Sequence, residues 1–193
     1  IAKGSGMIAP DMATMLSFLA TDAKIPAAVL QALLKKGCDK SFNCVTVDSD
    51  TSTSDTVMLF ATGVAKHPRV PAEGGPVLKD FARALNEVLM DLALMVARDG
   101  EGAQKLIRID VTGAVTARSA HRIAMAVGKA GEPADRDSLS IAVGGVWMAR
   151  DGGVVDGYDE TPVVAHMKGR EVEITVDIGL GKGRSTVWTC DLT

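Results

Sequence analysis

Residues 3–23 read KGSGMIAPDMATMLSFLATDA, and the role of Thr14 within them decides how the whole chain is understood. A threonine in mid-chain is ordinarily a β-branched strand residue or a helix cap. Here Gly4, Gly6 and Pro10 make an irregular backbone able to hold the peptide bond before Thr14 under strain, and Ala13 leaves its carbonyl unshielded. Attack of the Thr14 hydroxyl on that carbonyl would cut the chain. The product begins at Thr14 with a free α-amino group, whose pKa of about 7.7–8.0 suits it to act as base for its own hydroxyl.

Outward from this stretch the pattern alternates between strand and helix. SFLATDA (17–23) reads as a short strand, and Pro26 then sits at the first turn of a helix, AAVLQALLKKG, that closes on Lys35, Lys36 and Gly37. NCVTVDSDTSTSDTVMLFATG (43–63) has two β-branched runs, read as strands, around a polar loop. Within that loop DSDTSTSD (48–55) reads as a capped turn. After a Pro- and Gly-rich connector at 64–75, apolar residues recur at Leu78, Phe81, Leu85, Val88, Leu89, Leu92, Met95 and Val96. Those spacings of three and four predict one long helix buried on a sheet.

Gly100 and Gly102 stop that helix, and KLIRIDVTG (105–113) follows as a strand with Ile107, Ile109 and Val111 on one face. A helix is expected at 117–126, and the final third reads mainly as strand, including VVAHMKG (163–169). GLGKG (179–183) reads as the turn of a hairpin between the last two strands. The expectation is a layered α/β (α+β) domain.

Bulk properties narrow the function classes. With 193 residues and a net charge of −3, the chain has core enough for a domain and no broad basic field for nucleic acid or an anionic membrane. It has neither an apolar run long enough to span a bilayer nor a signal-peptide pattern, so the default compartment is the cytoplasm. The chain opens on Ile1 without an initiator methionine and reads as incomplete. Cys38, Cys44 and Cys190 match neither a disulfide framework nor a zinc site and read as buried small hydrophobes.

Other chemistry finds little footing. GLGKGRS lacks the phosphate-loop spacing, His67, His121 and His166 are scattered without a metal-ligand set, and no G-x-S-x-G elbow occurs. No metal site is expected. Glu101, between two glycines, is either a solvated residue at a helix stop or a carboxylate presented to a cationic ligand.

KGSGMIAPDMATML resembles the processing junction of the ornithine acetyltransferase family, also called glutamate N-acetyltransferase. The resemblance continues through VDSDTSTSDT, DGEGAQK and the closing VWTCDLT, in order along almost the whole chain. It implies an ornithine acetyltransferase/DmpA aminopeptidase-like fold with a self-released N-terminal Thr nucleophile. The scissile bond falls between Ala13 and Thr14, so that residues 1–13 are the tail of an α segment and 14–193 the β segment. Thr14 is then the acetyl-accepting nucleophile, Lys3 contacts the amino-acid substrate, and Glu101 recognises its other end, which suits an ornithine ammonium. The implied reaction moves acetyl from N-acetylornithine to glutamate through an acetyl-Thr intermediate.

No cofactor is implied, while acetyl-CoA stays open as a further co-substrate. The implied partner is the α segment, which supplies the oxyanion donors, in an assembly of two α and two β chains. This chain departs from the family where Ala124 and Met125 join directly without an intervening Asn-Trp-Gly stretch, and after Thr193, where a terminal region is expected. Ser54 and Gln104 stand where Asn and Thr are usual. The readings that compete are an N-terminal-nucleophile aminopeptidase or amidase, which passes the acyl group to water, and a non-catalytic fragment.

Overall fold

The computed structural model describes residues 1–3, 15–47, 55–68, 70–71, 74–100, 102–128 and 138–191. They fall into two compact units, Ile1–Asn43 with Thr51–Val96 and Cys44–Asp50 with Ala97–Thr193.

The first unit starts with β1 (Ala2–Lys3) and β2 (Leu16–Thr21), continues through α1 (Ala27–Cys38) to β3 (Thr56–Ala61), and enters α2 (Lys79–Arg98). Its sheet has the order β1-β2-β3, with β2 and β3 parallel and β1 antiparallel to β2. A parallel neighbour needs a crossover, and α1 lies within it. Side chains alternate across the sheet: Leu19 is buried with Leu34 of α1 and Leu85 and Leu89 of α2. Phe18, Met58 and Phe60 face the other way and are exposed.

The long helix forms where the apolar spacing placed it, but not every apolar residue in the stripe is covered. Leu85 and Leu89 are buried, whereas Val88 is 47% and Met95 59% exposed. Gly37 lies inside α1 and does not terminate it. Its missing side chain makes room for Leu89, whose Cδ1 would collide with a Cβ at that position.

The second unit contains β4 (Leu106–Ala114), α3 (Ala117–Gly128), β5 (Ser140–Val143), β6 (Val146–Arg150), β7 (Gly153–Val154), α4 (Glu160–Met167), β8 (Glu171–Asp177) and β9 (Gly183–Cys190). They build a six-stranded sheet in the order β7-β6-β5-β8-β4-β9. The inward residues of β4, β8 and β9, among them Ile109, Val111, Val176 and Val187, form one core with Ala120 and Ala124 of α3. Small residues on α3 let the helix sit close to the sheet. The join between Ala124 and Met125 falls inside this continuous helix.

Three sequence expectations are corrected in this unit. VVAHM belongs to helix α4, because the Asp159 carboxylate caps it by accepting from the Thr161 N–H at 2.9 Å, and this outweighs the β-branched pair Val163–Val164. The run from Asn43 to Val47 is not a strand: a 3-10 turn spans Phe42–Cys44, and Val45 makes a lone bridge to Trp188. GLGKG is not a hairpin turn, since β4 lies between β8 and β9. The connection instead crosses the end of β4, where Leu180 N–H donates to Gly113 C=O at 2.7 Å. A Cβ at Gly181 would come within 2.6 Å of the Ala114 carbonyl oxygen, so the crossing requires a residue without a side chain.

Candidate functional site

Thr14, Ala13 and Glu101 lie outside the described residues, and so does most of the polar loop before β3. The structure does describe the chain on either side of the junction. Lys3, exposed on β1, pairs across the ladder with Leu16, two residues beyond Thr14. Ile1 and Phe18 extend the same ladder, with Phe18 N–H donating to Ile1 C=O at 2.8 Å and the Ile1 amine donating to Phe18 C=O at 3.1 Å. Met15, immediately after Thr14, is held on both of its backbone polar groups. Its N–H donates to Asp55 Oδ1 at 3.0 Å, and its C=O accepts from Thr56 N–H at 2.9 Å.

Asp55 is the site residue that sequence reasoning missed. It closes DSDTSTSD, which reads as a turn bonding its own backbone, yet its carboxylate reaches 40 positions back to Met15. The available signal was its place directly before β3, the strand that pairs with β2 in register Leu16↔Thr56. Parallel pairing carries whatever precedes β3 to the residues that precede β2.

Around position 101 the flanking chain is fixed within the second unit. Gly100 packs so closely that a Cβ there would meet Cys190 Sγ at 2.9 Å and Val47 Cγ1 at 3.1 Å, and Gly102 has φ +76°, a region that favours glycine. Ala103 N–H donates to Gly100 C=O at 2.9 Å. Asp191 then anchors the start of β4, its Oδ1 accepting from Gln104 N–H at 2.8 Å and Lys105 N–H at 2.6 Å. Partial burial pushes the Asp191 pKa up, but these donors and the Lys105 charge outweigh that and hold it below the usual carboxylate range. Lys3 belongs to the first unit and position 101 to the second.

The three histidines make hydrogen bonds within the chain, His121 Nδ1 lying 3.3 Å from Ser185 Oγ. His67 Nε2 accepts from Lys24 N–H at 2.8 Å, and its Nδ1 lies 2.7 Å from Pro68 C=O. His166 Nε2 accepts from Glu173 N–H at 2.8 Å. Cys44 and Cys190 are buried and Cys38 is half-buried, where burial, with a smaller contribution from Asp39, raises the Cys38 thiol pKa. Among the described residues no group of three or more His, Cys, Asp or Glu is arranged to hold a metal ion. Among the described residues, no helix is long and apolar enough to cross a membrane.

Comparison with known proteins places these features in context. The sequence profile of the ArgJ family matches residues 1–125 and 121–193. The arginine biosynthesis bifunctional protein ArgJ of Gluconobacter oxydans is 60% identical over 217 aligned residues, covering 100% of this chain and 51% of that protein. The protein of the same name from Zymomonas mobilis is 51% identical, covering 100% of this chain and 53% of its own length. The chain thus spans about half the length of the curated relatives it matches. The crystal structure of the Bacillus halodurans arginine biosynthesis bifunctional protein argJ superimposes with a TM-score of 0.85 at 33% identity, covering 93% of this chain and 95% of that chain.

Proposed function

Because the chain belongs to the ArgJ family, we propose that it carries the nucleophile of a glutamate N-acetyltransferase of arginine biosynthesis, released by cleavage between Ala13 and Thr14. The observation that carries this reading is the clamp on Met15. The residue after the nucleophile is bonded through both N–H and C=O to consecutive residues at the entrance of one strand. Coverage supports it as well. This chain aligns over its whole length with relatives that carry the arginine-biosynthesis name, and over 93% of its length with a crystallised chain of that name.

The chemistry follows from the residue types. The Thr14 hydroxyl oxygen attacks the acetyl carbonyl of N-acetylornithine, and its proton passes through the Thr14 α-amine to the departing ornithine nitrogen as the amide C–N bond breaks. Thr14 is left as an acetyl ester. The amine of glutamate then attacks the ester, forming N-acetylglutamate and returning the proton to the Thr14 oxygen. Lys3 offers its ammonium to the substrate carboxylate, and Glu101 receives the ornithine side-chain ammonium. The oxyanion donors come from the preceding half of the protein, the α segment, and the working particle contains two α and two β chains. The reaction needs no cofactor, is placed in the cytoplasm, and admits acetyl-CoA as an alternative acetyl donor, in keeping with the bifunctional name of the relatives.

The test uses full-length protein with N-acetylornithine, counting both N-acetylglutamate and free acetate. Transfer that requires glutamate and is abolished in Thr14→Ala supports the reading. Acetate release that ignores glutamate assigns the site to an amidase instead, and transfer retained in Thr14→Ala contradicts a Thr14 nucleophile.

A further inference from the structure

Among the described residues, the sheet of the first unit is open along part of β2. β1 covers β2 only from Leu16 to Phe18, and no described residue pairs with the same edge at Leu19, Ala20 or Thr21. Thr56 and Thr62 donate to the carbonyls of Met15 and Thr21, so the odd-numbered residues of β2 turn their polar groups toward β3. Ala20, like Phe18, therefore turns its N–H and C=O to the open side. An unpaired strand edge is a template for another strand.

Beside this edge runs a groove of about 350 Å³ between β2 and α2, lined by Leu19, Ala20, Phe81, Ala84, Leu85 and Val88. Ile1 lines it as well. The groove explains why Val88 is exposed although the helical stripe predicts it buried. It also lies straight ahead of β1: traced backward from Lys3 to Ile1, β1 runs antiparallel to β2 and points along Leu19, Ala20 and Thr21.

The curated relatives are about twice as long as this chain. We propose that the residues preceding Ile1 in the longer protein continue β1 along the open edge of β2 and close the groove against α2, with the second residue upstream of Ile1 exchanging both backbone hydrogen bonds with Ala20. The α segment is thereby tied to β2 by a ladder that does not pass through the Ala13–Thr14 bond. The inference holds whether or not that bond is cut, and its outcome is separate from that of the transfer assay.

The experiment follows amide hydrogen exchange in the full-length protein at Ala20 and at Thr62, whose N–H bonds Thr21 C=O on the β3 side and reports the sheet itself. Ala20 is expected to exchange at least about a hundredfold more slowly than an unstructured amide. Proline at the second position upstream of Ile1 removes a ladder donor and should release Ala20 while Thr62 stays protected. A fast Ala20 amide in the unaltered protein overturns the proposal, as does protection that survives the proline, which assigns the edge to a different strand such as that of a second copy. Should the proline variant fail to fold, Ala20→Cys is combined with cysteine at the same upstream position. A hydrogen-bonded antiparallel pair has its Cα atoms about 5.5 Å apart, within disulfide reach. Loss of two free thiols on mild oxidation of dilute protein supports the ladder, and their retention contradicts it.

Discussion

Asp55 accepts the N–H of Met15 at 3.0 Å, while the next residue, Thr56, donates to the Met15 carbonyl at 2.9 Å. These two bonds fix both backbone polar groups of Met15. The clamp belongs to β2 and β3 together, because their parallel register sets position 55 opposite position 15.

Asp55→Ala should therefore loosen the junction without unfolding the unit, since the carboxylate is exposed and packs no core. Loss of a hydrogen bond to a charged acceptor amounts to roughly 1.5 kcal/mol, so appearance of the Thr14-initiated chain should slow about tenfold. Asp55→Asn keeps an acceptor oxygen and should retain more of the rate. Intact-mass time courses of freshly made full-length protein read both variants. Equal rates in wild type and Asp55→Ala would remove the clamp from the account.

Gly37→Ala should destabilise the first unit by about 1–3 kcal/mol, because the added methyl meets Leu89, which is fully buried. Repeated in a Leu89→Ala background, where the obstructing Cδ1 is gone, the same change should have a smaller effect. A double-mutant cycle by denaturant unfolding measures that coupling. Additive effects would show that α1 and α2 do not meet through this pair.

Acid sensitivity should track Asp191. Its folded-state pKa lies below the unfolded value, so the stability it confers is present above the unfolded pKa, near 3.9, and is lost as pH falls through the folded value. Asp191→Asn removes the charge while leaving an acceptor for Gln104 and Lys105. The stability difference between wild type and variant should be constant near neutrality and shrink progressively below about pH 4. A difference that does not change with pH would contradict a charge-based role.

The fold was legible wherever one physical signal dominated. Alternation marked β4, and the three-and-four spacing marked α2. It failed where a local cap outranked β-branched preference, as at Val163–Val164, where the Asp159 cap starts a helix that takes in the β-branched pair. It failed again at Gly179–Gly183, where the glycines serve a crossing over β4 that no local pattern encodes. At the site, Thr14 could be singled out from its neighbours and from the family resemblance. Asp55 could not, because its partner is distant in sequence and the relation depends on β2 and β3 pairing in parallel.

Cys38 offers an independent check on burial around the end of α1. Its raised thiol pKa, caused first by burial and then by Asp39, leaves little thiolate at neutral pH, so alkylation should be slower than for an exposed cysteine thiol. Mapping labelled peptides after brief iodoacetamide treatment of native protein reads this directly. Rapid labelling of Cys38 would show that this helix end opens readily.

The most direct measurement for the account as a whole is the N-terminal residue of the chain that carries LSFLAT (16–21) in active, full-length-derived protein. Denaturing mass spectrometry with N-terminal sequencing should find it beginning at Thr14, with the preceding segment as a separate species. An intact Ala13–Thr14 bond in protein that transfers acetyl at full rate would contradict the central claim.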